Sequence, residues 1–308
     1  MKQYEFNYNK KFTCIADKCK HNCCIGWQID IDKKSLSHYE TLKGIDKRFN
    51  EKSFFSGSFN LDKALRCPFL DGDNLCHIIK NYGEKSLCKT CKTHPRFKNF
   101  FSGVTETGLG LYCEHAGKII LSFKPKMKLE LVKDDKKEKS FSAFEKKVLS
   151  FRKKVIAILQ DKKLLLNERL LLIQDLCGID LNKKTFNEWL EVFCGLERLK
   201  INNFSFSNIP KGQNFANIES GFEKEYEQLL CYLCFRHLSR AIDSLDLKVR
   251  LAFIVLSFNM INHIFSLTEN KNLDSLVEVC RFFSSEIETS DDNIFAILNE
   301  IESLVSFI

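Results

Sequence analysis

The chain has 308 residues, 44% of them apolar and 28% charged, with 13 glycines, 4 prolines and a formal net charge of +7. The apolar content excludes an intrinsically disordered chain, and so few glycines and prolines disfavour an all-β protein. The length is large for one core, so we expect two domains or one large core with a smaller module. The N-terminus lacks the apolar stretch of a secretory signal, and we therefore expect a cytoplasmic protein.

The excess positive charge lies in the N-terminal third. Residues 1–121 contain 20 Lys and Arg against 13 Asp and Glu, whereas residues 122–308 contain 27 Lys and Arg and 27 Asp and Glu. A basic surface attracts nucleic acid, membranes or acidic partners. Metal-bound thiolates would also bring negative charge that lysines offset, and we favour this account. Nucleic acid is a disfavoured partner, because basic and aromatic residues do not alternate at a recognisable spacing.

Cysteine is the most informative residue type. Nine of the fourteen cysteines lie in the first 113 residues, namely Cys14, Cys19, Cys23, Cys24, Cys67, Cys76, Cys88, Cys91 and Cys113. In a reducing compartment such a framework is more often metal-binding or catalytic than disulfide-bonded. The other five fall within amphipathic patterns, where cysteine acts as a small apolar residue, so we expect them in the core. They are Cys177, Cys194, Cys231, Cys234 and Cys280.

The cysteine-rich segment predicts little regular structure. Loose alternation of apolar and polar residues suggests short strands over 3–12 and over Trp27–Asp32, followed by a helix over 33–50 and a hairpin or loop over 51–63. Cys67 and Cys76 then flank a tight turn, and Cys88 and Cys91 form a C-x-x-C pair that can reach one metal or cluster.

The pattern leaves the identity of the metal open. Nine sulfurs could supply two tetrahedral zinc sites with one left over, or the thiolates of an iron–sulfur cluster. Cys23 and Cys24 are adjacent, and neighbouring side chains diverge, so they serve two irons or two centres more easily than one compact zinc. Histidines within the segment are further candidate ligands or proton carriers, although each is more often a surface or hydrogen-bonded residue. They are His21, His77, His94 and His115.

The rest of the chain predicts helices. A charged connector covers 133–139, and capping boxes at Ser142 with Glu145 and at Thr185 with Glu188 begin two helices, the second reaching Leu199. A loop over 203–217 precedes helices over 219–241, 246–268, 272–288 and 292–307. The most apolar run, Leu251–Leu267, contains two asparagines and a histidine and predicts a buried helix instead of a membrane span.

These elements predict a mainly α protein. We expect a cysteine-rich metal-binding module with short strands and irregular loops, residues 1–125, packed on an irregular α-helical bundle, residues 140–308. In the bundle, Glu227, Tyr232 and Arg236 are candidate catalytic residues. Tyr232 and Arg236 lie four residues apart on one helical face, where an arginine could hold a carboxylate or phosphate. The competing interpretation is a partly buried ion pair.

Four segments together resemble the flagellin lysine N-methylase family, part of a wider group of cysteine-rich zinc- or iron-chelating proteins. They are F-T-C-I-A-D-K-C-K-H-N-C-C-I-G-W-Q-I-D-I-D, R-C-P-F-L-D-G-D-N-L-C-H-I, L-C-K-T-C-K-T-H-P-R and L-G-L-Y-C-E-H-A. The resemblance covers roughly the first 120 residues, and more loosely the helix around Tyr226–His237. Family members commonly carry proline and then an acid after the last cysteine, where this chain has Glu114 and His115.

The resemblance implies a bacterial enzyme that transfers a methyl group from S-adenosylmethionine to lysine ε-amines of flagellin, with a [4Fe–4S] cluster held by ligands from the nine-cysteine pool. No strand followed by G-x-G-x-x-G occurs, so we expect S-adenosylmethionine to bind at an open iron instead of a glycine-rich loop. A C-x-x-x-C-x-x-C radical signature is also missing from the sequence. The alternatives are a non-catalytic zinc-binding interaction protein and an iron–sulfur sensor, and an oligomer is compatible with each.

Overall fold

The structure, a computed structural model, describes residues 2–42, 57–135, 140–199, 202 and 204–305. Within these residues the chain is mainly helical with one small sheet, as the composition predicts. The strands are β1 Lys2–Phe6, β2 Arg96–Phe101, β3 Val104–Leu109 and β4 Leu129–Asp134. The helices are α1 Lys33–Thr41, α2 His77–Tyr82, α3 Lys89–Thr93, α4 Glu114–Leu121, α5 Ala143–Leu159, α6 Leu166–Cys177, α7 Phe186–Cys194, α8 Glu223–His237, α9 Ser244–Ser266, α10 Leu273–Phe283 and α11 Asp291–Glu302.

The sheet has the strand order β2-β3-β1-β4. β1 runs parallel to β3 and antiparallel to β4, while β2 and β3 form an antiparallel hairpin in which Arg96 pairs with Leu109. The end of β1, the start of β2 and the end of β3 therefore lie at the same edge of the sheet. The parallel β1–β3 pair joins segments about a hundred residues apart, which local periodicity does not reveal.

Helix α9 forms the centre of the helical core. It packs against α6, α8, α10 and α11. By length and composition it is the one helix in the described part of the chain that could cross a membrane, but 89% of its most apolar window is buried inside the protein. The expectation that Leu251–Leu267 belongs to a buried core helix is thus confirmed.

Most helix predictions agree with the structure within a few residues. Both predicted capping boxes are present, at Ser142 and at Thr185. The helix from Thr185 ends at Cys194, however, because Gly195 terminates it before Leu199. The predicted helix over 272–288 is α10 continued by a π-helical turn, Ser284–Glu288. Helix α6 and the β2–β3 hairpin were not predicted.

The N-terminal predictions need more correction. The strand expected over 3–12 is β1, which ends at Phe6, and a 3₁₀ turn follows at Asn9–Lys11. Trp27–Asp32 forms a single bridge, between Asp30 and Ser58, instead of a strand. The helix expected over 33–50 ends at Thr41. The predictions for residues 43–56, 136–139, 203 and 306–307 concern parts of the chain outside the described residues.

The five C-terminal cysteines divide four to one. Cys177, Cys231, Cys234 and Cys280 are buried, as expected, but Cys194 is exposed. Cys194 is the last residue of α7, and its position at a helix end turns it away from the core.

Buried apolar residues form two clusters in the described chain. The larger contains residues from Phe6 to Ile301 and includes strand residues as well as helices. The smaller lies among the cysteine loops and consists of Ile29, Ile31, Tyr39, Phe59, Cys67, Phe69, Ile78, Leu87 and Cys88. A nine-residue cluster is small for an independent core, which leaves room for a bound metal to contribute to its stability. The proposed domain limits, 1–125 and 140–308, stay a prediction.

Candidate metal centre

The sheet brings distant cysteines to one place. β1 leads to Cys14, Cys91 precedes β2, and Cys113 follows β3, so all three segments pass the same sheet edge. At that edge the amide of Gly110 donates to the carbonyl of Pro95 at 2.7 Å, which ties the two ends of the hairpin together. A side chain at Gly110 would lie 2.2 Å from the ring of Tyr112, so the glycine allows Tyr112 to fold back beside Cys113.

Electrostatic interactions connect the nine predicted cysteines into one network. Cys14, Cys19 and Cys113 interact with Cys23 on one side. The thiols around the smaller apolar cluster form the other side, namely Cys24, Cys67, Cys76, Cys88 and Cys91. Cys23 interacts with Cys24, Cys67 and Cys76 as well, and therefore links the two sides.

The backbone aligns two of the cysteine segments directly. The amide of Cys67 donates to the carbonyl of Cys24 at 2.8 Å, and Ile25 forms a bridge with Arg66. Leu70 and Cys76 form a second bridge across the predicted turn. The first cluster of four cysteines is thus paired with the Cys67–Cys76 turn through main-chain hydrogen bonds, although the two are about forty residues apart.

Burial and mutual repulsion keep most of these sulfurs in the thiol form. Burial raises the pKa of Cys19 and of Cys67 to about 12, and neighbouring thiols add to each rise. Cys88 and Cys91 share a hydrogen bond that lowers the pKa of Cys88 and raises that of Cys91. A bound cation reverses this balance because it stabilises thiolates. The donor set is therefore suited to a thiophilic metal or an iron–sulfur cluster.

Three of the cysteines precede helices. Cys76, Cys88 and Cys113 occupy the N-cap positions of α2, α3 and α4. The amides of His115 and Ala116, in the first turn of α4, lower the pKa of Cys113, although burial outweighs them. Amides at a helix start stabilise negative charge, so these positions suit metal-bound thiolates.

The thiols are not yet arranged as a coordination sphere. In the part of the chain that the structure describes, no group of three or more His, Cys, Asp and Glu side chains is placed to hold a metal ion as it stands. The network therefore provides thiol ligands that are close enough to influence one another's pKa values. To bind a metal, these side chains would have to move closer together.

Glu114 holds the loop that carries Cys19 and Cys23. Its two carboxylate oxygens accept hydrogen bonds from the amides of Lys20 and His21, at 3.0 and 3.1 Å. The side chain of His21 in turn contacts Glu278 of α10 at 2.8 Å. The acid that follows the last cysteine thus positions the first cysteine cluster against the helical part.

His94 has the clearest relation to the network among the four candidate histidines. It interacts with Cys23 and partly offsets the rise in the pKa of that thiol, and its ring centroid is 5.9 Å from that of Trp27 and 5.4 Å from that of Tyr112. His77 instead contacts Asn81 and Tyr82 on the surface of α2, and His115 packs against the ring of Phe12.

The three predicted catalytic residues do not meet at one place. Glu227 forms buried ion pairs with Arg169, at 3.3 Å, and with Lys224, at 2.7 Å. Tyr232 and Arg236 instead both contact Glu288, a residue for which the sequence provided no motif. The only signal was a pair of polar residues four apart, Ser284 and Glu288, within an apolar helical stripe.

Glu288 is the centre of a fully buried polar cluster. Its carboxylate accepts hydrogen bonds from Tyr232 at 2.8 Å, His237 at 2.6 Å and the hydroxyl of Ser284, and it forms an ion pair with Arg236 at 3.0 Å. These donors hold the pKa of Glu288 at about 2 despite its burial, with Arg236 the strongest contributor. His237 is part of this cluster, and burial lowers its pKa.

Comparison with known proteins agrees with this geometry. Residues 13–108 match a family described as "Putative zinc- or iron-chelating domain". The chain is 30% identical over 122 residues to a lysine-N-methylase of Salmonella typhimurium strain LT2, covering 36% of this chain and 30% of that protein. It is 31% identical over 121 residues to the flagellar biosynthetic protein FliU of Salmonella muenchen, covering 72% of that protein. No solved structure matches the chain.

The fold and the thiol network define a helical protein with a cysteine-rich metal-chelating domain. The chain belongs to the lysine-N-methylase and FliU family, as the resemblance of its cysteine segments predicted. The matched segment spans 30% of the lysine-N-methylase of strain LT2, so what that whole protein does is a separate question for this chain.

Proposed function

We propose that this protein is an S-adenosylmethionine-dependent protein-lysine N-methyltransferase that acts on flagellin and holds a [4Fe–4S] cluster in its cysteine network. The observation that supports the proposal is that the nine cysteines, eight of them within the matched residues 13–108, interact electrostatically in one network linked by Cys23. The names of the relatives, lysine-N-methylase and flagellar biosynthetic protein, support the reaction and the substrate.

Methyl transfer places clear demands on the site. The neutral ε-amine of lysine attacks the methyl carbon of the sulfonium, the carbon–sulfur bond breaks with its electron pair going to sulfur, and the amine then loses a proton to a base. Because the free amine is protonated at neutral pH, the site must disfavour the ammonium form.

The nine cysteines provide the ligands in this proposal. Three or four of these thiolates would hold the cluster, which would supply an iron able to bind S-adenosylmethionine. Within the chain, Glu114 and the helix starts at Cys76, Cys88 and Cys113 hold the ligands in place.

A zinc-binding interaction protein is the second candidate. The division of the network into two sides joined by Cys23 favours it, because two tetrahedral sites need two groups of four donors. Cys14, Cys19, Cys113 and Cys23 would form one group, with the second drawn from the five thiols around the smaller apolar cluster.

Metal analysis separates the two candidates. The protein is purified without oxygen, and iron, sulfide and zinc are measured per chain together with the visible spectrum. A brown protein with iron and sulfide is expected. A colourless protein with stoichiometric zinc would overturn the cluster enzyme and leave the zinc-binding protein.

Activity is measured on the same preparation. Flagellin is incubated with isotopically labelled S-adenosylmethionine, and methylated lysines are identified by mass spectrometry. We expect labelled methyl-lysine with the wild-type protein and none with Cys23→Ser. Cys194→Ser is the matched control, because Cys194 is exposed and outside the network. A cluster-containing protein that yields no methyl-lysine would leave the iron–sulfur sensor.

A further inference from the structure

The polar cluster around Glu288 contacts the segment that leads into Cys113, the last cysteine of the network. Tyr232 of α8 accepts a hydrogen bond from the amide of Leu111 at 3.2 Å, two residues before Cys113, while its own hydroxyl donates to Glu288 at 2.8 Å. Tyr232 is completely buried. The main chain that leads into Cys113 is thus fastened to the helical core by one hydroxyl with both of its hydrogen bonds made.

Arg236 contacts Tyr112, the residue that follows Leu111. Its guanidinium lies 5.7 Å from the ring of Tyr112 and 4.9 Å from the ring of Phe97. It also contacts Glu288 twice, with an ion pair from Nε to the carboxylate and a hydrogen bond from Nη2 to the main-chain carbonyl, each at 3.0 Å. Because a planar guanidinium can stack on rings and make paired hydrogen bonds at once, a lysine cannot reproduce this arrangement.

The contacts continue from Tyr112 to the first cysteine cluster. The ring of Tyr112 packs against His94 at 5.4 Å, and His94 is close enough to Cys23 to affect the pKa of its thiol. Tyr112 is held on its other side by the closeness of Gly110, where an added carbon would lie 2.2 Å from the ring. One packed series therefore runs from Glu288 through Arg236, Tyr112 and His94 to the cysteine that links both sides of the network.

We propose that Tyr232 and Arg236, held by Glu288, are positioning residues that orient Cys113 and, through Tyr112 and His94, Cys23 for metal binding. The inference rests on the metal centre proposed above. It assigns a function to α8 and to the π-helical turn, which lie outside residues 13–108 that match the chelating domain. Partners beyond the ligands commonly set metal affinity, since they fix ligand orientation.

The test uses Co²⁺ as a probe, because cobalt bound by thiolates gives a charge-transfer absorption that reports ligand identity whichever metal is native. The metal-free, reduced full-length protein is titrated with Co²⁺ against a competing chelator. For Tyr232→Phe and Arg236→Lys we expect about 10- to 100-fold weaker Co²⁺ affinity and a changed charge-transfer spectrum.

Arg169→Lys is the matched control. Arg169 also forms a buried pair with a carboxylate of α8, Glu227, at 3.3 Å, but neither residue contacts the cysteine network in the described structure. We expect this variant to lose stability while keeping the wild-type Co²⁺ affinity and spectrum. The same substitution type at two buried pairs thereby separates a positioning effect from general destabilisation.

Three outcomes distinguish the proposals. If the wild type gives no thiolate–cobalt absorption, the metal centre itself is wrong. If the wild type binds and both variants match its affinity and spectrum, the positioning inference is overturned. Should Arg236→Lys fail to fold, Tyr232→Phe decides, since it removes one oxygen and keeps the ring; thermal unfolding of the metal-free forms verifies that it is folded.

Discussion

The buried ionisable groups of the helical region and those of the cysteine region have different neighbours. In the described chain four glutamates are buried. Three pair with an arginine, Glu227 with Arg169 and Glu288 with Arg236 in the helical region and Glu106 of β3 with Arg152 of α5. The fourth, Glu286, accepts hydrogen bonds from Asn202 and from the amide of Leu199. In the cysteine region the buried thiols mainly face one another, and their pKa values rise. The buried carboxylates thus have donors from the protein itself as neighbours, whereas the buried thiols of the cysteine region have mainly one another.

Removing the metal should produce the largest difference between the two regions. We expect chelation under reducing conditions to abolish amide protection in the cysteine loops, residues 14–42 and 57–93, while protection in α9 persists, because α9 is held by apolar packing. Hydrogen exchange followed by mass spectrometry measures both regions in one sample. Equal loss of protection in α9 and in the cysteine loops would mean that both regions depend on the metal.

Core truncations in the two apolar clusters sharpen the comparison. Phe258→Ala in α9 should lower the free energy of unfolding by about 3–5 kcal/mol, with or without metal. Phe69→Ala, in the smaller cluster, should instead weaken metal binding, since Phe69 packs beside Cys67 and Cys88. Chemical denaturation and Co²⁺ titration of both variants test this. A Phe69→Ala protein with unchanged Co²⁺ affinity would contradict the dependence of the centre on its small core.

The buried carboxylate at Glu288 makes stability depend on pH. Its pKa is about 2 in the folded protein and near 4.5 when unperturbed, so its stabilising contribution is complete above pH 4.5 and is lost as the pH falls towards 2. Glu288→Gln should therefore be less stable than wild type by up to about 3 kcal/mol at neutral pH. The difference should shrink in acid.

Denaturant unfolding of the metal-free proteins between pH 7 and pH 3 measures this difference. Asp274→Asn is the control, since Asp274 forms an exposed pair with Lys118 that should contribute little. A Glu288→Gln deficit that stays constant with pH would show that packing, and not charge, accounts for the loss.

The smallest expected effect concerns a helix start. Ser142 accepts from the amide of Glu145, whose carboxylate accepts from the amides of Ser142 and Ser102. Ser142→Ala should cost about 1 kcal/mol and leave Co²⁺ binding unchanged. Thermal unfolding and Co²⁺ titration check the two parts, and a loss of metal affinity would reveal unexpected coupling between α5 and the cysteine network.

Local signals in the sequence identified what depends on local chemistry. The capping boxes at Ser142 and Thr185 are confirmed, because a cap needs only residues three apart. The cysteine spacing likewise indicated the family. Strand predictions failed at Trp27–Asp32, since alternation alone does not provide a partner strand.

The sequence by itself determined the helical character, the cysteine-rich chelating domain and the family. Only the tertiary structure decided which groups meet, because the parallel pairing of β1 with β3 and the packing of α8 on the Leu111–Cys113 segment join residues about a hundred positions apart. The role of Glu288 as the centre of a polar cluster was also decided by the tertiary structure. Ser284 is four residues away on the same segment, but Tyr232, Arg236 and His237 come from α8, and no spacing pattern encodes a contact made by packing two helices together.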